Sequence, residues 1–231
     1  MPTRANSVLV RYATYDGGVN HPAPVPRLVL ASSSPARLKT LHASGLDPLV
    51  IAPKVDEASV TAADPRELTR ARARLKGESV LADLLSQSPT AQAPLVLLAC
   101  DSMLEIEGRV HGKPGTAEAA VVRWYRMRGR RGLFHTGHFA AVVTSPTEVH
   151  SQVRCATTEV TFADLTEAEI AAYAATGEPQ RVAGAFAIDG YGGAFITSII
   201  GDPHNVVGIS LPLVRQMLID LGIGWHQLWR R

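Results

Sequence analysis

The chain has 231 residues, of which 46% are hydrophobic and 19% charged, with a formal net charge of +2. That balance describes a soluble globular protein with a real core, built as one large domain or two small ones. It excludes a helical membrane protein, since no stretch approaches the ~18 unbroken apolar residues a span needs, and the charge is too small to imply nucleic acid on its own.

Residues 1–26 read as a flexible leader, because "YDGGVNHPAPVPR" is dense in Gly, Pro and Asn and carries no period. The folded region is expected from 27 to 231, starting with "LVLA" as a short buried strand. A helix follows, with Ser34 as N-cap, Pro35 at the first position and Gly45 just past the end. "DPLVIA" reads as a second strand leading into "PKVDE". Residues 64–85 read as a long helix, with Asp64, Pro65 and Glu67 as a capped start.

"LVLLAC" (95–100) has the unbroken apolar character of a strand buried on both faces. "SMLEIEGRVHGKP" predicts a hairpin turning at Gly108, and 117–128 a helix after Thr116. "LFHTGHFAAVVT" and "EVHSQVRCATTEVTF" predict two long strands joined at "SPT". Thr166 and Glu169 form a second capping-box pattern, opening a helix that stops at Gly177. "GAFITSII" reads as a strand, and Ser210 to Gly222 as the closing helix. The expected fold is α/β: a mixed, partly antiparallel twisted sheet flanked by helices.

Several segments carry residues able to do chemistry. In "VLASSSPAR" a strand ends in three serines and feeds a Pro-started helix. Free N–H groups and hydroxyls converge there, as in an anion cradle. Arg37 in the first turn opposes the helix dipole, which a bound phosphate would reverse. An ordinary capped helix with a solvated arginine accounts for the same residues. Asp101 directly follows the apolar run, at a strand end where ligands collect in α/β sheets. A partly desolvated carboxylate there favours a cation or metal, and a plain Asp-Ser turn is the other reading. Lys113 sits in the stiff loop "HGKPG", which aims an ammonium or simply makes a surface turn. Asp56 and Glu57 could hold a divalent cation together with Asp101.

The basic run "RWYRMRGRR" (123–131) invites a nucleic-acid reading. Cations are favoured in the last turn of a helix anyway, and Trp124 and Met127 suit a core face. His111, His135, His138 and His204 show no zinc spacing, and neither a nucleophile elbow nor a P-loop is present. Cys100 and Cys155 have no metal-ligand spacing and read as reduced, buried thiols of a cytoplasmic protein. No charged-then-apolar signal pattern opens the chain.

Taken in order, these motifs resemble the Maf family of septum-formation-inhibitor-like nucleoside triphosphate pyrophosphatases, over about residues 27–224. Ser32, Ser34, Pro35 and Arg37 match the opening Ser-x-Ser-Pro-x-Arg signature. Asp56–Glu57, Lys76 with Val80, "ACDS", Gly112-Lys113-Pro114, "TGH", "TEVTF", "TGEP", "AGAF" and "NVVG" follow in the family's order. The resemblance implies an inosine-triphosphatase-like fold with a central nucleotide cleft. It implies Asp101, Glu57, Lys76 and Lys113 as catalytic residues, and Ser32, Ser34, Arg37 and Asp189 as substrate-binding ones. Glu57 and Asp101 would be the ligands of a divalent cation, Mg²⁺, Mn²⁺ or Co²⁺. It further implies a nucleoside triphosphate substrate and a homodimer, with no membrane or nucleic-acid partner. Three positions depart from the pattern: Ala36 and Asp189, where relatives carry Arg and Gln, and Gly77, where they carry Ala. Ala36 and Asp189 leave room for a second reading, a nucleotide-binding regulator of cell division that does not hydrolyse.

Overall fold

A computed structural model describes residues 25–87 and 93–230, and the expected leader falls, up to residue 24, outside the described residues. The elements follow the order β1 (Arg27–Ala31), α1 (Pro35–Ala43), β2 (Leu49–Val50), α2 (Pro65–Ser86), β3 (Leu95–Ile106), β4 (Arg109–His111), α3 (Ala117–Met127), β5 (Arg131–Ser145), β6 (Glu148–Phe162), α4 (Glu167–Ala175), β7 (Ile196–Ile200), α5 (Pro203–Val207) and α6 (Leu211–Asp220).

The strands form one seven-stranded sheet in the order β2-β1-β3-β5-β6-β7, with β4 also paired to β3. β1 is parallel to β2 and β3, and every other pairing is antiparallel. β3 is the organising strand. One of its edges pairs with β5 along residues 95–105. Its other edge is shared: β1 takes residues 95–99 and β4 takes 104–106. Residues 100–103 therefore have no strand neighbour on that side, and the sheet edge carries a notch. The chain leaves β1 at Ser32 and leaves β4 at Gly112, so both exits open onto the notch.

Local signals explain most element ends. Ser34, Asp64, Thr116, Thr166 and Ser210 each cap a helix through a side-chain oxygen. Gly45 follows α1 at φ +83°, the left-handed conformation that glycine adopts without strain. Glu107 and Gly108, at φ +51° and +74°, make the two-residue β3–β4 turn.

The structure corrects the reading at five points. β3 does not stop at Cys100 but runs through Asp101 to Ile106, because residues 101–105 stay paired with β5. β2 shrinks to two exposed residues at the sheet edge. Tyr191–Phe195 forms a 3-10 turn, leaving only 196–200 as strand. Glu67 pairs with Arg70 rather than completing a capping box. α5 was not expected, although Asp202-Pro203 and Gly208 are its start and stop signals.

Alternating residues of the central strands feed two cores. Leu28, Leu30, Val96, Leu98, Ala140 and Val142 pack under α1 and α6. Val29, Ala31, Leu97, Ala99, Phe139 and Ala141 pack under α2. A third cluster beneath α3 and α4 holds Trp124 edge-on to Phe162, Tyr173 and Phe195, with centroids 5.6–5.8 Å apart. Trp124 and Met127 thus serve the core, as their spacing predicted. Cys100 is buried, Cys155 is only partly so, and both are free thiols. Among the described residues no helix is long and apolar enough to cross a membrane.

Candidate active site

The notch opens into a cleft of about 810 Å³. Its first wall is the turn from β1 into α1. Ser32 is buried, and its hydroxyl accepts from the Ser34 N–H at 3.1 Å and from Arg37 Nη1 at 3.1 Å. Arg37 also donates through Nη2 to Ser102 Oγ at 3.0 Å and through Nε to the Gly208 carbonyl at 2.7 Å. The cation in the first turn of α1 is therefore held by the carbonyl end of α5, which offsets its unfavourable position on its own helix. Gly208 sits at φ +116°, and a Cβ there would lie 3.1 Å from Arg37 Nε. Ser102 continues the chain of hydroxyls to Thr136, which donates to the Asn205 carbonyl. Asn205 in turn binds the Phe134 carbonyl and Thr158.

The second wall is the α2 face of β3. Lys76 Nζ lies 2.6 Å from Asp101 Oδ1 and 2.9 Å from Glu57 Oε1. The lysine and Asp101 are buried, while Glu57 is half-exposed on a 3-10 turn capped by Asp56. Burial pushes the Glu57 carboxyl up, but the hydrogen bond and charge of Lys76, with the charge of Arg72, outweigh it and hold the group below its ordinary range. Asp101 Oδ2 is buried and has no hydrogen-bond partner. α2 is set tightly on the sheet. A Cβ at Gly137 would drive into the Thr69 backbone, and one at Gly77 into the Phe139 ring. Gly77 is one of the departures from the family pattern, and Phe139 occupies the space that an alanine methyl would need.

The third wall comes from two loops. Lys113 lies exposed on the rim after β4. The Gly112 carbonyl beside it accepts from the Gly184 N–H and from Arg123. Bonded to it, the loop 178–192 is latched by Glu178, which accepts from Tyr173 Oη at 2.6 Å, the Gly192 N–H at 2.9 Å and the Tyr191 N–H at 3.0 Å. Trp124 Nε1 holds the Ala185 carbonyl at 2.8 Å. Asp189 reaches the cleft from this loop but pairs with Lys39 of α1 at 3.4 Å.

Ser32, Ser34, Arg37, Glu57, Lys76, Asp101, Lys113 and Asp189 line this one cleft, whereas Asp56, expected to hold a cation with Glu57, does not: its carboxylate is used to cap the 3-10 turn, accepting from the Ala58 N–H. Two of the cations expected in the site have protein partners: Lys76 pairs with both acids, and Arg37 ties α1 to β3 and α5. Arg72 and Arg181 also line the cleft and escaped the sequence reading. The available signal for Arg72 was its spacing, since four residues before Lys76 on one helix means the same face.

Glu57 and Asp101 are a donor set suited to a hard divalent cation such as Mg²⁺, which takes one or two carboxylates and fills its other positions with water and phosphate oxygens. The unpartnered Asp101 Oδ2 fits that use. Among the described residues no group of three or more His, Cys, Asp or Glu side chains gathers to hold a metal by protein ligands alone. The chemistry available is a carboxylate pair beside several cations in a sheltered notch. That set can bind a polyanion and accept a proton.

A family model described as Maf-like protein matches residues 27–221. A nucleoside triphosphate pyrophosphatase of Cutibacterium acnes is 52% identical over 202 residues, spanning 87% of this chain and 93% of the relative. A protein of that name from Salinispora tropica is 47% identical over 205 residues, spanning 89% and 88%. Among solved structures, the Staphylococcus aureus Ham1 protein aligns at 15% identity over 88% of this chain and 93% of its own, with a TM-score of 0.38.

Proposed function

This chain belongs to the Maf-like protein family, and from that premise we propose that it hydrolyses nucleoside triphosphates between the α- and β-phosphates, giving a monophosphate and pyrophosphate. Its relatives carry the name of that activity. The observation that supports it most in this molecule is the Glu57–Lys76–Asp101 constellation at the bottom of a cleft rimmed by further cations.

In this reading the triphosphate lies along the notch, its charge met by Lys113, by the Ala36 N–H in the first turn of α1 and by the remaining donors of Arg37. A water oxygen attacks the α-phosphorus while the bond to the β-phosphate breaks, and pyrophosphate leaves with that electron pair. Asp101 takes the water's proton. Lys76 Nζ, 2.6 Å from Oδ1, holds and aims the Asp101 carboxylate, so the base is preorganised. A divalent cation held by Glu57 and Asp101 would supply Lewis-acid polarisation of the phosphoryl oxygens. The apolar lining from Phe134, Phe186, Ile188 and Val206 suits a nucleobase. The biological role we assign is removal of non-standard or surplus nucleotides in the cytoplasm, by a homodimer.

The test is a panel of standard and modified nucleoside triphosphates with Mg²⁺ or Mn²⁺, scored for pyrophosphate and monophosphate. Equimolar release of the two is expected. Saturable binding with no release would replace the enzyme by the nucleotide-binding regulator.

A further inference from the structure

Five cations line the cleft: Arg37, Arg72, Lys76, Lys113 and Arg181. Lys76 is held between Asp101 and Glu57, and Arg37 between Ser32, Ser102 and the Gly208 carbonyl. Arg72 is different. Its Nε is buried with no hydrogen-bond partner, and its Nη2 reaches only the Val60 carbonyl, at 3.5 Å. It makes no ion pair among the described residues.

Arg72 stands one helical turn before Lys76, so it faces the acid pair from the same side of α2. Its charge is among those that keep the Glu57 carboxyl ionised. Lys76 alone against two carboxylates leaves this end of the cleft with a surplus negative charge, which would repel a phosphate. Arg72 cancels that surplus. Its helix is locked by the close contacts at Gly77 and Gly137, so the guanidinium is carried on a rigid element. A buried donor without a partner costs stability unless something fills it.

Building on the function proposed above, we propose that Arg72 is a substrate-binding residue. Its planar guanidinium takes non-bridging oxygens of the pyrophosphate portion of the triphosphate, at the end of the cleft where Glu57 and Asp101 stand. Lys76 holds the acids, and Arg72 holds the anion. The guanidinium fork suits two phosphate oxygens better than a lysine would.

The test compares the whole chain with Arg72→Met and Arg72→Lys, by calorimetric binding of inorganic pyrophosphate with Mg²⁺ and by steady-state turnover. Arg72→Met is expected to weaken pyrophosphate binding and raise KM by about tenfold or more, the scale of losing a charge-assisted pair. Its melting temperature should stay close to that of the wild type. Arg72→Lys should fall between the two. Pyrophosphate affinity and KM within twofold of wild type in Arg72→Met would overturn the assignment. If Arg72→Met does not fold, Arg72→Lys decides: a clear loss of affinity supports the role, and wild-type affinity overturns it. Wild-type turnover is read alongside. An inactive wild type whose pyrophosphate binding depends on Arg72 would sink the enzymatic reading and leave this one standing.

Discussion

Lys76 and Asp101 form a buried ion pair at 2.6 Å across the interface of α2 and β3, and Glu57 closes it from a half-exposed turn at 2.9 Å. The two partners are not equivalent on removal. Lys76→Met leaves Asp101 buried without its cation and is expected to cost about 3–5 kcal/mol in denaturant unfolding. Asp101→Asn keeps the volume and leaves Lys76 paired with Glu57, so the fold should persist. Turnover should fall about 10²-fold or more, as expected when a positioned base is lost. Wild-type turnover in purified Asp101→Asn would remove Asp101 from the mechanism.

Lys113 has the opposite character. It is exposed, so its loss should leave stability within about 0.5 kcal/mol of wild type. Lys113→Ala is nonetheless expected to reduce turnover by roughly 10²-fold, the scale of one preorganised charge partner. A change within twofold would make it an ordinary surface lysine.

Gly77 tests the seating of the helix that carries Lys76 and Arg72. Helix propensity alone favours Gly77→Ala by about 1 kcal/mol. The added methyl would run into the Phe139 ring, and overpacking costs about 1–3 kcal/mol. We expect net destabilisation in Gly77→Ala. Adding Phe139→Leu should recover part of it, so the double variant would be more stable than the sum of the singles by roughly 1 kcal/mol. Strict additivity would show that the contact carries no energy.

His138 gives the protein a pH signature. Burial, with the charge of Arg37 beside it, depresses its pKa to about 3, and the neutral ring accepts the Ser210 N–H at 2.8 Å. Its ordinary value is 6.5, so between pH 6.5 and 3 the unfolded chain binds a proton that the folded one does not. Stability is therefore full above 6.5 and falls as the pH drops, by up to about 1.4 kcal/mol per pH unit for the one proton. The lowered pKa of His111 acts in the same direction. Glu57 adds its own loss only further down, below its ordinary 4.5. Chemical denaturation from pH 6.5 down to 4.5 should show a shallower slope in His138→Gln. Equal slopes would mean that the ring does not stay neutral.

What was legible in the sequence was local. Ser34-Pro35, Thr166 with Glu169, and Glu107-Gly108 announce their caps and turn because each is satisfied within a few residues of chain. The apolar runs at 28–31 and 95–100 and the two long segments joined at "SPT" predicted the sheet, and the ordered motifs named residues of the cleft. Three things were decided only by tertiary pairing. β3 continues through Asp101 because β5 lies alongside it, and the notch exists because β1 and β4 share one edge without meeting. Arg37 finds its carbonyl 171 positions away at Gly208. Lys76 is spent on two acids while Arg72 is left with its buried Nε unpaired. A cap or a turn is a contract between neighbours in sequence. Which cation meets which carboxylate depends on distances that exist only after the sheet has closed its register and excluded water from the interface.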